Sequence, residues 1–216
     1  MEDANRDARM RERHCFPAFL LRDGMSKTLQ PDRTGAVTNP RIVVLTGFMG
    51  SGKTSTGQAL AELLEWEFVD LDSEIEAREG LSIRQLFQQR GEPAFRAIEH
   101  EVLRVCVSRC ARPTVIALGG GAFVQPNNAE ALSAGNVTTV FLETPLQEML
   151  QRCCAEDAVS PENPRPLAAD AAAFRRLYEA RLPSYRAADV TINTSGKSTV
   201  AIAGEIAGNL RLQESR

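Results

Sequence analysis

From Arg41 onward the chain alternates between two hydrophobic rhythms. Short unbroken apolar runs, beginning with Ile42-Val43-Val44-Leu45, give way to stretches in which apolar residues recur every three or four positions. The first kind reads as buried strand and the second as amphipathic helix. On this basis strands fall at Ile42–Leu45, Phe68–Asp70, Val115–Leu118, Thr139–Leu142 and Val190–Asn193. Helices fall near Lys53–Glu65, Asp72–Glu79, Ser82–Gln89, Pro93–Cys110, Pro145–Cys154, Asp170–Ala187 and Ser198–Leu212. Glu92-Pro93 is a good helix opening, because proline at the first helical position loses no hydrogen bond. Strands that are apolar throughout, separated by helices, predict an α/β fold with a five-stranded parallel sheet covered on both faces. Ligands then gather at the carboxyl ends of the strands.

The first forty residues do not share this rhythm. Met1 to Arg13 mixes both charge signs, and Leu29 to Pro40 is rich in Pro, Thr, Gly and Asn. The apolar patch Phe16 to Leu21 is too brief for a secretory core, and Glu2, Asp3 and Asp7 do not suit a transit peptide. The expectation is a flexible extension over 1–40, a catalytic domain over 41–216, and Met25 as an alternative start.

Composition narrows the classes. At 216 residues, 43% apolar and 25% charged, the chain suits one domain with a full core. A net charge of -3 supplies no basic field for nucleic acid or an anionic membrane. No apolar stretch approaches the ~18–20 residues that cross a bilayer. The five cysteines form no Cys-x-x-Cys pair, and neither His14 nor His100 completes a metal spacing. Buried or idle thiols in a reducing compartment are expected, which fits the cytoplasm; separately, the chain is expected to be a monomer.

The chemistry starts at Gly47-Phe48-Met49-Gly50-Ser51-Gly52-Lys53-Thr54, directly after the first strand and opening the first helix. The spacing G-x-x-x-x-G-K-[ST] lets the backbone curl so that successive N–H groups face a phosphate, with the helix N-terminus behind them. Lys53 can then reach the β- and γ-phosphates and Thr54 can ligate Mg²⁺. The segment Gly50, Ser51, Gly52, Lys53, Thr54, Ser55 is therefore expected to bind a nucleoside triphosphate. Asp70-Leu71-Asp72 follows the second strand, and residues two apart in extended chain point the same way. One carboxylate can support Mg²⁺ or the reacting hydroxyl while the other holds a hydroxylated substrate; alternatively, Asp72 is only the N-cap of the next helix. Arg96 and Glu99, three apart, form either a solvated surface pair or a guanidinium oriented to take a carboxylate. Gly119-Gly120-Gly121 after the third strand makes sense where a ligand approaches the backbone. That strand ends without an acidic residue, which leaves Asp70 to serve the metal and argues against a motor or helicase. The loop Ser160 to Leu167 holds Arg165 between two prolines, inert or on a lid that delivers a cation to the transferring phosphoryl group.

Taken in order, GFMGSGKT, DLD, FRAIE, LGGGA, the RPL of the loop and RLPSYR resemble the shikimate kinases from about Arg41 to the C-terminus. The resemblance implies phosphorylation of the shikimate 3-hydroxyl by Mg-ATP, a step toward chorismate and the aromatic amino acids, on a sheet ordered 2-3-1-4-5. It implies that Asp72 accepts substrate hydroxyls, that Arg96 and Arg181 hold the carboxylate, and that Gly119, Gly120 and Gly121 line the pocket with Phe87 and Phe95 around it. It further implies that Asp70 lies near Mg²⁺ and the reacting hydroxyl, that Lys53 and Arg165 act on the phosphoryl group, and that Arg152 lies near adenine. Departures are extra lid residues with Pro161 and Pro164, an alanine after Leu167, and a loose match at Thr194 to Lys197. The competing readings are a gluconate kinase-like enzyme and a non-catalytic relative kept for binding, although the latter would have lost one of these charged residues.

Overall fold

Each strand carries side chains that leave it alternately for opposite faces, and on the central strands both faces are dry. On β1 (Ile42–Thr46), Ile42 and Val44 enter one apolar cluster while Val43 and Leu45 enter another. Burying residues of this size contributes about 1.5–3 kcal/mol each, which is why the run is apolar throughout rather than alternating. The computed structural model describes residues 42–133, 136–159 and 170–210; the expectations for 1–40, for the loop at 160–167 and for Arg165 lie outside them.

The remaining elements follow in chain order: α1 (Lys53–Leu64), β2 (Glu67–Asp70), α2 (Leu71–Glu79), α3 (Ile83–Arg109), β3 (Thr114–Ala117), α4 (Pro126–Ser133), β4 (Val137–Glu143), α5 (Leu146–Val159), α6 (Ala171–Tyr185), β5 (Val190–Asn193) and α7 (Thr199–Asn209). The strands form one parallel sheet ordered β2-β3-β1-β4-β5. Helices α1 and α7 supply one cluster, with Leu60, Leu64, Ile202 and Ile206 on Val43 and Leu45. The other face packs Ile75, Leu86, Leu103, Met149 and Phe174 against Val44, Ile116 and Phe141.

Predicted and observed elements agree closely, with one difference: helix α4 has no counterpart in the expected pattern. The two helices expected on either side of Gly91 are both present within α3, joined by a kink where Gly91 takes φ 76° and ψ 169°. That left-handed φ suits glycine, and Pro93 then restarts the helix without needing a donor. Register brings Leu45, Ala117 and Asp70 level across β1, β3 and β2. Everything that follows these residues therefore emerges along one edge.

Candidate active site

The phosphate loop leaves β1 through three glycines of positive φ, at 47, 50 and 52. Gly50 also touches α5: a Cβ there would lie 2.6 Å from the Met149 carbonyl and 2.9 Å from Cys153 Sγ. Gly52 caps α1 in the left-handed conformation with no side-chain cap, leaving the first N–H groups of the helix open toward a ligand. Lys53 folds back so that Nζ donates to the Phe48 carbonyl at 2.9 Å. Thr144 Oγ1 supports the loop from behind, donating to Ser51 O at 3.3 Å and meeting Thr194 Oγ1 at 2.7 Å. Arg152 reaches Gly50 O at 3.3 Å and is held by Glu148 at 3.1 Å.

The two aspartates after β2 divide their tasks. Asp70 Oδ1 accepts from the backbone N–H groups of Asp72 and Ser73, so Asp70, not Asp72, caps α2. Its other oxygen accepts from Thr54 Oγ1 at 2.8 Å, joining the second strand to the phosphate loop. Asp72 is thereby relieved of capping. Its carboxylate lies against Gly119, where a Cβ would come within 2.5 Å of Oδ1. Burial, reinforced by the charge of Asp70, pushes its pKa up from 3.8 to about 6, while Lys53 and Arg96 pull the other way.

Beyond Asp72 the triple glycine forms a strap that turns where Ala122 N–H donates to the Gly119 carbonyl at 3.1 Å, and each member has its own neighbours. Gly121 faces Arg96, whose Nη2 would stand 2.7 Å from an added Cβ. Gly120 offers its carbonyl to Arg181 Nη1 at 3.3 Å and to the Tyr185 hydroxyl. A Cβ on Gly120 would also sit 3.4 Å from the Met49 nitrogen of the phosphate loop. Arg96 is held by both oxygens of Glu99, at 3.0 and 2.9 Å, and by Glu92 at 3.1 Å. Glu99 is 1% exposed, so the solvated-pair alternative is excluded; burial raises its pKa and Arg96 opposes that. Phe87 and Phe95 stack at 4.3 Å beneath the Arg96 guanidinium, and Arg181 stands 5.9 Å above the Phe48 ring.

Lys53, Thr54, Asp70, Asp72, Arg96, Gly119, Gly120, Gly121, Arg152 and Arg181 are thus brought to one edge of the sheet by chains of direct contacts. A family model for shikimate kinase matches residues 49–211. The chain belongs to the shikimate kinase family. A shikimate kinase of Persephonella marina is 37% identical over 172 residues, 79% of this chain and 99% of the relative. One from Moorella thermoacetica is 40% identical over 171 residues, 77% of this chain and 92% of the relative. Among solved structures, shikimate kinase from Acinetobacter baumannii in complex with shikimate superposes with a TM-score of 0.71 at 37% identity, covering 81% of this chain and 94% of that one. As a member of the shikimate kinase family the chain is an ATP-dependent kinase, and its sheet order is the one expected for that family.

Tyr185 is the contributor that sequence reasoning missed. It is fully buried, stacked on Phe141 at 5.4 Å, and burial holds its phenol protonated with a pKa near about 12. The available signal was its spacing, four residues after Arg181 on the same helix face.

Proposed function

We propose that this chain transfers the γ-phosphoryl group of ATP to the 3-hydroxyl of shikimate, giving shikimate 3-phosphate and ADP on the route to chorismate. The observation that carries this reading is the glycine strap. It sets a carboxylate, Asp72, and two guanidiniums, Arg96 and Arg181, around one surface that abuts the phosphate loop. A ring bearing hydroxyls and a carboxylate matches that surface: the arginines take the carboxylate and Asp72 accepts from hydroxyls. Phe87 and Phe95 give the apolar face of the ring a floor.

The phosphate loop and Lys53 hold the triphosphate, so the reacting groups meet by positioning rather than by covalent chemistry. Lys53 exchanges the Phe48 carbonyl for phosphate oxygen on binding. Thr54 Oγ1 and Asp70 Oδ2, 2.8 Å apart, are hard oxygen donors beside the loop. That set fits Mg²⁺, which takes one or two protein oxygens and completes its shell with phosphate and water. No cluster of three acidic, histidine or cysteine ligands occurs among the described residues. When bound, Mg²⁺ neutralises charge on the β- and γ-phosphates. Asp70 then faces the reacting hydroxyl, Arg165 supplies a further cation from the lid, and Arg152 lies by the adenine. The same reading takes 1–40 as an extension outside the catalytic domain, and the enzyme as a cytoplasmic monomer.

A coupled assay of ADP release with shikimate, quinate and gluconate tests the assignment. Shikimate should support turnover on the order of a hundredfold or more above the other two, since a pocket of buried polar groups rejects a misfitting hydroxyl pattern strongly. Preferred turnover of gluconate would replace the assignment.

A further inference from the structure

Asn128, in the first turn of α4, is completely buried, and two other segments use its amide. Its Nδ2 donates to the Ala122 carbonyl at 3.0 Å, and its Oδ1 lies 2.8 Å from Nδ1 of His100 on α3. A carbonyl only accepts, so the amide nitrogen must face Ala122 and the amide oxygen must face His100. An acceptor at that distance requires a proton on Nδ1. The bridge therefore has a direction: His100 donates to Asn128, and Asn128 donates to Ala122.

Both ends adjoin the Arg96 slot. His100 follows Glu99, which grips the Arg96 guanidinium with both oxygens. Ala122 follows Gly121, on which the same guanidinium rests. Helix α3 forms one wall of the slot and the strap forms the other, and Gln125 Nε2 adds a longer tie to Gly121 O at 3.5 Å. We propose that Asn128 and His100 are positioning residues for substrate recognition: their bridge holds the strap at a fixed distance from α3 and so aims Arg96. Neither side chain touches substrate. The inference rests on the reading that Arg96 takes the shikimate carboxylate.

The test combines steady-state kinetics with nitrogen-15 spectra of the imidazoles, all on the full chain. Asn128→Ala should raise KM for shikimate about three- to tenfold, the loss of one or two buried hydrogen bonds, and leave KM for ATP within about twofold. His100→Ala should do the same. His100→Asn, whose amide nitrogen can stand where Nδ1 stood, should restore most of the affinity. A residue that merely pins α4 would instead lower Tm and the active fraction with KM for shikimate unchanged, and that result overturns the proposal. Should Asn128→Ala fail to fold, the two His100 variants decide by the same criterion. The chain has two histidines, so the His100 signals are identified by their loss in His100→Ala. At about pH 9, where an ordinary imidazole is neutral, His100 should carry its proton on Nδ1; a bare Nδ1 overturns the bridge. Arg96→Ala separates the two levels of inference. If it leaves KM for shikimate unaltered, the carboxylate reading falls and this one falls with it. If it raises KM while Asn128→Ala and His100→Ala do not, only the present inference falls.

Discussion

Asp70 and Asp72 are two positions apart and chemically identical, yet their surroundings assign them opposite roles. Asp70 is satisfied on both oxygens by N–H and O–H donors, whereas Asp72 is half-buried beside another acid, and that partial burial pushes its pKa up to about 6. A carboxyl whose folded pKa exceeds its unfolded value favours folding while protonated, and that contribution fades as pH rises through the folded pKa. Charged Asp72 therefore costs the unliganded fold stability above about pH 6, by something like 2–3 kcal/mol for a two-unit displacement. Asp72→Asn should accordingly be more stable than the parent at pH 8 without ligand or Mg²⁺, with the gain shrinking toward zero below about pH 4. Its KM for shikimate should rise roughly ten- to a hundredfold. Thermal melts across pH, paired with shikimate titrations, check both; a stability difference that grows toward acid pH would reverse the sign and refute the burial account. The sequence identified both aspartates but left open whether Asp72 serves the site or only caps α2, and did not point to Asp70 as the cap. The cap is decided by β2 running directly into α2, with Asp70 still extended at φ -99° and ψ 117°, and no spacing rule carries that. For Tyr185 the spacing from Arg181 was the available signal, but its contact with Gly120, distant in sequence, was not legible.

At the level of elements, the glycines of the phosphate loop and of the strap are required for different reasons. Gly50 combines φ 74° with a backbone carbonyl 2.6 Å from where a Cβ would stand, and neither can give way. Gly121 has no positive φ, and its obstacle is the end of the Arg96 side chain. Gly50→Ala should therefore cost about 1–3 kcal/mol of stability, through strain and overpacking. Gly121→Ala should melt near the parent temperature while losing roughly tenfold in shikimate affinity, because it dislodges an arginine held by Glu99 and Glu92. Equal losses of Tm in the two variants would remove the distinction. Most elements were legible from hydrophobic rhythm, since strands buried on both faces leave unbroken apolar runs. Helix α4 was not, because it is only eight residues long, carries two asparagines and buries just Asn128 and Leu132. The break at Gly91 was legible, because Pro93 marked the start of a second helix and Gly91 forms the kink before it.

For the whole molecule, the buried members of both apolar clusters among the described residues run from Ile42 to Ala207. Residues 1–36 mix charge signs and are rich in polar residues, a composition that buries no core of its own, so removing them should leave Tm within about 2 °C and kcat/KM for shikimate within about twofold. A drop well beyond that would mean that the segment is part of the folded enzyme, and the proposed boundary would be wrong. The strand order also sets a timetable for biosynthesis. The loop that cradles phosphate is encoded first, right after β1. Its neighbours are encoded later: the strap after β3 touches Met49, and β4 and α5 supply the Leu142 and Met149 carbonyls against Gly47 and Gly50. As the chain leaves the ribosome, the most recognisable motif in it thus waits for later segments to shape it, and nascent chains up to α4 carry the motif and the strap without the β4 and α5 walls.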